Sequence, residues 1–281
     1  MTKGVKMLEG IIKKSLENVE VKTGDYYKDG LLYCGNCNTK KQRYIEIFGQ
    51  KKLVGCLCAC STAARDAAER EHREEQYRLV RERVRSEGFP DRAMMEWTFD
   101  TDDGANPELT AICKRYVDGF DEVYREGKGL LFYGGVGTGK TFMASCIANA
   151  LIDKGRTALV TNFGRIANEL QADFNHRQAY LDGLNKFDLL VIDDLAAERD
   201  TEYMGEIVMN VVDSRYRAKK PIIVTTNLSG SELKNPSDMR KQRVFSRLFE
   251  MCIPYEVKGK DRRRKTLIDD MEKYSWLFGK E

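Results

Sequence analysis

At 281 residues the chain exceeds one ordinary domain and is short for two large ones; a core of roughly 180–200 residues with a smaller appendage fits usual domain sizes. Its 42% hydrophobic content suffices for a buried core, and no apolar run approaches the ~20 residues of a membrane span. With 47 basic and 44 acidic residues the net charge is only +3, which is not the footprint of a dedicated duplex-DNA binder, although a local basic groove stays open.

The Lys-rich start, Met1 to Leu16, has neither an apolar signal core nor a small-residue cleavage site, so a cytoplasmic protein is expected. Five of the eight cysteines, Cys34, Cys37, Cys56, Cys58 and Cys60, cluster near the N-terminus; Cys113, Cys146 and Cys252 are scattered. In a reducing compartment such clustering favours metal binding over disulfides. Cys34-Gly35-Asn36-Cys37 is a knuckle that can aim two thiolates at one ion, and Cys56, Cys58 and Cys60 share one face of an extended segment. Four thiolates suit tetrahedral Zn²⁺ better by spacing than an iron–sulfur cluster, and one cysteine is left over. Buried free thiols are the plainer alternative.

Residues 61–87 are rich in Arg, Glu and Ala without Pro or Gly, which predicts a helix, with Ser61 as its N-cap and Gly88-Phe89-Pro90 as its stop. Tyr77, Val80 and Val84 make only a thin apolar stripe, as on a solvated connecting helix. From about residue 91 apolar strands alternate with amphipathic helices, the pattern of a parallel α/β sheet. Expected strands are Gly129–Tyr133, Thr157–Thr161, Asp188–Ile192 and Pro221–Thr226, the third covered on both faces. Helices are expected from Thr141 to about Asp153 and around Tyr203–Arg217.

Between the first strand and its helix lies Gly134-Gly135-Val136-Gly137-Thr138-Gly139-Lys140-Thr141, a P-loop (Walker A) sequence in the context it requires. Glycines let backbone N–H groups converge on phosphates, at the positive end of the following helix. Lys140 is expected on the β- and γ-phosphates of ATP and the Thr141 hydroxyl on Mg²⁺. The apolar strand Leu189–Ile192 runs into Asp193 and Asp194. Asp193 is expected on the Mg²⁺ side, and Asp194 as the base that orients or deprotonates the attacking water. Glu198 nearby reads first as a solvent-facing loop acid. Asn227, closing Thr225-Thr226-Asn227, is expected beside the γ-phosphate as a sensor, although Asn is also a common turn former.

These segments, together with Trp97-Thr98-Phe99, Leu190–Glu198, Ile223–Leu228 and Arg243–Leu248, resemble the AAA+ ATPases and, within them, the DnaC/DnaI-type replicative helicase loaders. The resemblance implies an AAA+ P-loop domain at 91–281, a charged helical linker at 61–90 and an N-terminal zinc-binding, helicase-interacting domain at 1–60. It makes Arg247 the arginine finger that completes a neighbouring subunit's ATP site, with Arg243 as second choice. It places the sensor 2 arginine at Arg263, within the run Arg262, Arg263, Arg264. It favours Cys58 and Cys60 beside Cys34 and Cys37 as zinc ligands, with Cys56 as alternate. It also implies the abbreviated AAA+ form without a separate helical lid. The implied activity is ATP hydrolysis, slowed where Asp194 replaces the Glu common among relatives. The implied partners are a hexameric DnaB-type helicase and single-stranded DNA, in a homo-oligomer formed on the helicase or DNA. A transposition helper of the IstB type, acting on duplex DNA, is the runner-up; a non-hydrolysing ATP-binding adaptor is the third reading. Residues around Asn162–Asn175 and the run Arg262–Lys265 offer DNA contacts, or are ordinary solvated surface.

Overall fold

The computed structural model describes residues 19–47, 49–172, 177–197, 201–236, 238–262, 271 and 273–278. The chain divides into two compact units, residues 1–78 and 79–281. The first unit holds two antiparallel hairpins, β1 (Tyr26–Lys28) with β2 (Leu31–Tyr33) and β3 (Gln42–Ile47) with β4 (Gln50–Gly55). Among the described residues of this unit few side chains are buried, chiefly Leu32, Val54, Cys34 and Cys58. Polar ties add to this small core. One is the nearly buried ion pair of Lys41 Nζ with Asp25 Oδ2 at 2.5 Å. Lys41 also donates to the Glu20 carbonyl at 2.6 Å, and Asp25 accepts from the Gly35 and Lys22 amides at 3.1 and 2.8 Å. Hydrogen bonding by Lys41 and these amides holds the Asp25 carboxyl down at about 2.

Helix α1 (Ala59–Gly88) starts two residues before the sequence suggests. Ser61 is therefore its third residue and not its cap; the Ser61 hydroxyl lies 3.1 Å from Cys58 Sγ. Alanine, Arg and Glu favour the helix locally, aided by pairs such as Arg83–Glu87 at 2.8 Å, since Tyr77 and Val80 are 62% and 58% exposed. Val84, one turn on, packs on the core of the second unit.

In that unit, α2 (Arg92–Met95), α3 (Pro107–Asp118) and α4 (Phe120–Glu126) precede the alternating β/α elements. These are β5 (Gly129–Tyr133), α5 (Lys140–Asp153), β6 (Ala158–Asn162), α6 (Phe163–Ala172), α7 (Arg177–Leu184), β7 (Leu189–Leu195), α8 (Glu202–Ala218), β8 (Ile222–Thr226), α9 (Gly230–Lys234), α10 (Met239–Met251) and β9 (Cys252–Glu256). The five strands are parallel in the order β6-β7-β8-β5-β9. This is the helix-flanked parallel sheet of an AAA+ P-loop domain.

Alternation along the strands feeds two apolar layers. Leu130, Phe132, Leu189 and Val191 pack with α3 and α5; Leu131, Leu190 and Ile192 face α6, α8 and α10. The edge strand β9 is not announced by the sequence. Its exposed residues break the apolar run, and Pro254 is tolerated because one side of an edge strand has no ladder to complete.

At the opposite end of the sheet from the strand C-termini, Arg215 of α8 is wholly buried and meets backbone rather than a counter-ion. Its guanidinium donates to the carbonyls of Leu184, Phe187, Asp188 and Pro221 at 2.8–3.3 Å, tying the starts of β7 and β8 together. Burial lowers its pKa to about 10, so it stays charged at neutral pH. Arg215→Met orphans these acceptors and should destabilise the second unit by ~3–5 kcal/mol in denaturant titrations. Arg215→Lys should lose nearly as much, because one ammonium cannot reproduce the planar fork. Losses below ~1 kcal/mol in both variants would show that the tie is dispensable.

Candidate functional site

The P-loop joins β5 to α5 and bends through left-handed glycines where side chains have no room. A Cβ on Gly134 (φ 129°) would sit 2.7 Å from the Val257 carbonyl oxygen, because the end of β9 packs against the loop. On Gly137 (φ 72°) it would strike the Asp261 carboxylate. Lys140 is buried, and its ammonium donates to the carbonyls of Gly134 and Gly135 at 3.0 and 2.6 Å and to Asn227 Oδ1 at 2.8 Å. Thr138 closes the loop by donating to the Gly135 carbonyl at 3.0 Å.

The acids arrive from β7 by an irregular path. The strand continues through Leu195 rather than stopping before the carboxylates, and its pairing with β8 slips between Ile192 and Leu195. Asp194 has φ 53° and Ala196 φ 72°, uncommon for residues with side chains. In a regular strand neighbouring side chains point to opposite faces. The slip lets both acids engage the same site: Thr141 donates to Asp193 Oδ1 at 2.7 Å, and Asn227 Nδ2 donates to Asp194 Oδ1 at 3.2 Å. Asn227 therefore bridges Lys140 and Asp194. Burial is the main cause raising the Asp193 pKa, offset in part by hydroxyls of Thr225 and Thr141.

Thr225 is the participant to which sequence reasoning gave no role. Fully buried on β8, it donates to Asp193 Oδ1 at 2.6 Å and accepts the Asp194 amide at 2.9 Å, fixing both acids at the kink. The available signal was a threonine on a central strand two residues before Asn227. Thr226 donates instead to the Leu195 carbonyl at 2.7 Å, closing the slipped ladder.

A cleft of 330 Å³ opens here, lined by Val136–Phe142, Asp194, Asn227, Trp97, Thr101, Asp103 and Arg262. Arg263 and Arg264 lie outside the described residues, as do Glu198 and Lys265. Arg262, the one member of the basic run among the described residues, lies at the cleft: its amide donates to the Gly137 carbonyl at 3.0 Å and its guanidinium pairs with Asp103 at 2.9 Å. Arg247 does not line this cleft. It sits on α10, paired with Asp213 at 2.8 Å and over the Tyr216 ring at 5.9 Å, in a separate groove that Arg243 shares. Asn162 caps α6 by accepting the Arg165 amide at 2.9 Å, and residues 173–176 are outside the described set.

In the first unit the Sγ atoms of Cys34, Cys37, Cys58 and Cys60 all lie within 4.8 Å of one another. Cys34–Cys60 is 3.7 Å and Cys58–Cys60 3.3 Å, close to the ~3.8 Å edge of a tetrahedron with 2.3 Å Zn–S bonds. Cys56 is elsewhere, its thiol on the Lys40 carbonyl at 3.4 Å. Cys34 opens a turn closed by the Asn38 amide, and the Ala59 amide donates to Thr39 Oγ1 at 2.9 Å, fixing the start of α1 beside the knuckle. The Thr39 hydroxyl and the Cys60 amide draw Cys37 down to about 5, whereas hydrogen bonding with the other three sulfurs pushes Cys60 up to about 12. Four sulfurs this close can all be thiolates only with a cation to neutralise them. The donor set is compatible with zinc.

Two expectations follow. Metal analysis of the purified chain should give one equivalent of zinc, kept by Cys56→Ser and lost by Cys58→Ser or Cys60→Ser; under half an equivalent in the parent chain, with no other metal, rejects the site. Thr225→Val should lower ATP turnover about 10–100-fold with little change in nucleotide affinity, and Thr225→Ser should restore most of it. Unchanged turnover in the valine variant would deny Thr225 this role.

The family model described as "IstB-like ATP binding protein" matches residues 63–268. The replicative helicase loader DnaI of Bacillus subtilis is 28% identical over 181 residues, 59% of this chain and 58% of that protein. The chain thus matches little more than half the length of this curated relative. An insertion sequence ATP-binding protein of Sinorhizobium fredii is 25% identical over 211 residues, 74% of this chain and 68% of that protein. Among solved structures, a DnaC helicase loader superposes with a TM-score of 0.53 at 25% identity, covering 60% of this chain and 100% of that one. With its ATP-binding region matched from the charged helix to beyond β9, the chain belongs to the IstB-like ATP-binding protein family.

Proposed function

We propose that this protein is an ATP-dependent helicase loader that binds a DnaB-type replicative helicase and helps deposit it on single-stranded DNA. The observation that carries the reading is the similarity to DnaI and DnaC loaders over the ATP-binding region, behind a four-cysteine module. In this reading the loop amides and Lys140 hold the phosphates of ATP. Lys140 exchanges its loop carbonyls for phosphate oxygens while keeping Asn227 within reach. Thr141 and Asp193 hold Mg²⁺, which when bound neutralises charge on the β- and γ-phosphates. Asp194, steadied by Asn227, takes the proton of the attacking water. The contact to the same subunit's nucleotide is assigned to the run Arg262–Arg264, with Arg263 as expected and Arg262, whose amide bonds to Gly137 of the P-loop, as its described member.

Arg247 serves in trans. Its separation from the cleft suits a residue that completes a second copy's site, so ATP turnover belongs to an assembly formed on helicase or DNA. Residues 1–60 are assigned to helicase binding, 61–90 to the linker and 91–281 to ATP hydrolysis, in the cytoplasm. No helix among the described residues is long and apolar enough to cross a membrane.

A second reading, an insertion-sequence helper acting on duplex DNA, is favoured by the family model and by the 74% coverage of the Sinorhizobium relative. Co-purification with the host replicative helicase separates the two. A stable complex is expected; its absence together with tight duplex-DNA binding overturns the loader assignment. Asp194→Glu tests the base: the longer side chain should raise ATP turnover, and a fall would count against a reach-limited Asp194.

A further inference from the structure

Phosphate chemistry accounts for the Lys140 side of the cleft but not for its aromatic wall. Trp97 is half-buried and lines the same cavity as Lys140 and Thr138, with its ring 5.7 Å from that of Phe142, the residue after the P-loop threonine. Its backbone is held by a residue of the phosphate-binding helix itself. Asn149 of α5 is 1% exposed, and its amide donates at 2.9 Å to the carbonyls of Trp97 and Met94. The Asn149 Oδ1 is oriented in turn by Arg85, which donates to it at 3.0 Å and pairs with Asp153 at 2.6 Å. Lys140 and Asn149 are nine residues apart on one helix, about 13.5 Å of rigid rise. One element therefore carries both the lysine of the cradle and the residue that holds the Trp97 backbone.

A buried asparagine spending both amide hydrogens on the end of α2 and the cleft-lining tryptophan that follows it is a positioning device. A flat, electron-rich ring lining the cavity of the phosphate cradle suits the face of a nucleobase. We propose that Trp97 is the base-stacking residue of the nucleotide site and that Asn149 is its positioning residue. This rests on the ATP-site reading above and specifies which wall takes the nucleoside.

The test compares ATP with inorganic tripolyphosphate, which lacks the nucleoside, on the full chain with Mg²⁺. The parent chain should prefer ATP. Trp97→Ala should weaken ATP about 10-fold and leave tripolyphosphate within about 2-fold, and Trp97→Phe should recover most of the loss. Asn149→Asp, which keeps the acceptor for Arg85 but removes both donors, should reproduce the selective loss. In a Trp276→Phe background, where Trp97 is the sole tryptophan, ATP but not tripolyphosphate should quench its emission.

Equal binding of ATP and tripolyphosphate by the parent chain overturns the proposal and leaves the phosphate cradle standing. So does an equal loss of both ligands in Trp97→Ala, or no loss of ATP. Binding of neither ligand by the parent chain defeats the cradle reading itself and the base site with it.

Discussion

The site depends on one constraint: β8 lies between β5, which delivers the P-loop, and β7, which delivers the acids. Lysine and carboxylates approach from strands that do not touch, so whatever β8 presents at its C-terminal end must join them. It presents Thr225 and Asn227. Thr225 holds Asp193 and the Asp194 amide; Asn227 takes Lys140 on its oxygen and Asp194 on its nitrogen. An apolar pair there would leave Asp193 with the Thr141 hydroxyl, Lys140 with its loop carbonyls, and Asp194 without its Asn227 donor.

The same constraint explains the irregularity of β7. Two consecutive carboxylates on a regular strand cannot serve one face. The slipped pairing and the left-handed Asp194 turn both toward the cleft, and the strained conformation is held because Thr225 and Thr226 bond to backbone groups on either side of it. At the far end of the sheet Arg215 pins the starts of β7 and β8. The two strands whose register sets the site are thus fixed at both ends.

The cysteine unit solves a different problem with similar means. With few apolar side chains buried among its described residues, it gathers four sulfurs and a nearly buried Lys41–Asp25 pair around a turn. Of its last two cysteines, Cys58 lies just before α1 and Cys60 in its first turn.

By itself the sequence determined the local and periodic features. The P-loop, the apolar strand into Asp193, the charged helix and the thiol knuckle are legible because each needs particular residues within a few positions of one another. Four of the five strands follow from apolar runs; β9 does not, because an edge strand half open to solvent carries no such run. Tertiary structure alone decided which residues meet across the chain. Thr225 gained its role only from the strand order, and Trp97 its place only through Asn149. Arg262 came to the cleft by the way the chain after β9 lies on Gly137. Cys58 and Cys60 joined Cys34 and Cys37, leaving Cys56 aside, through the turn into α1. Each choice is among chemically similar neighbours, and only long-range packing distinguishes them.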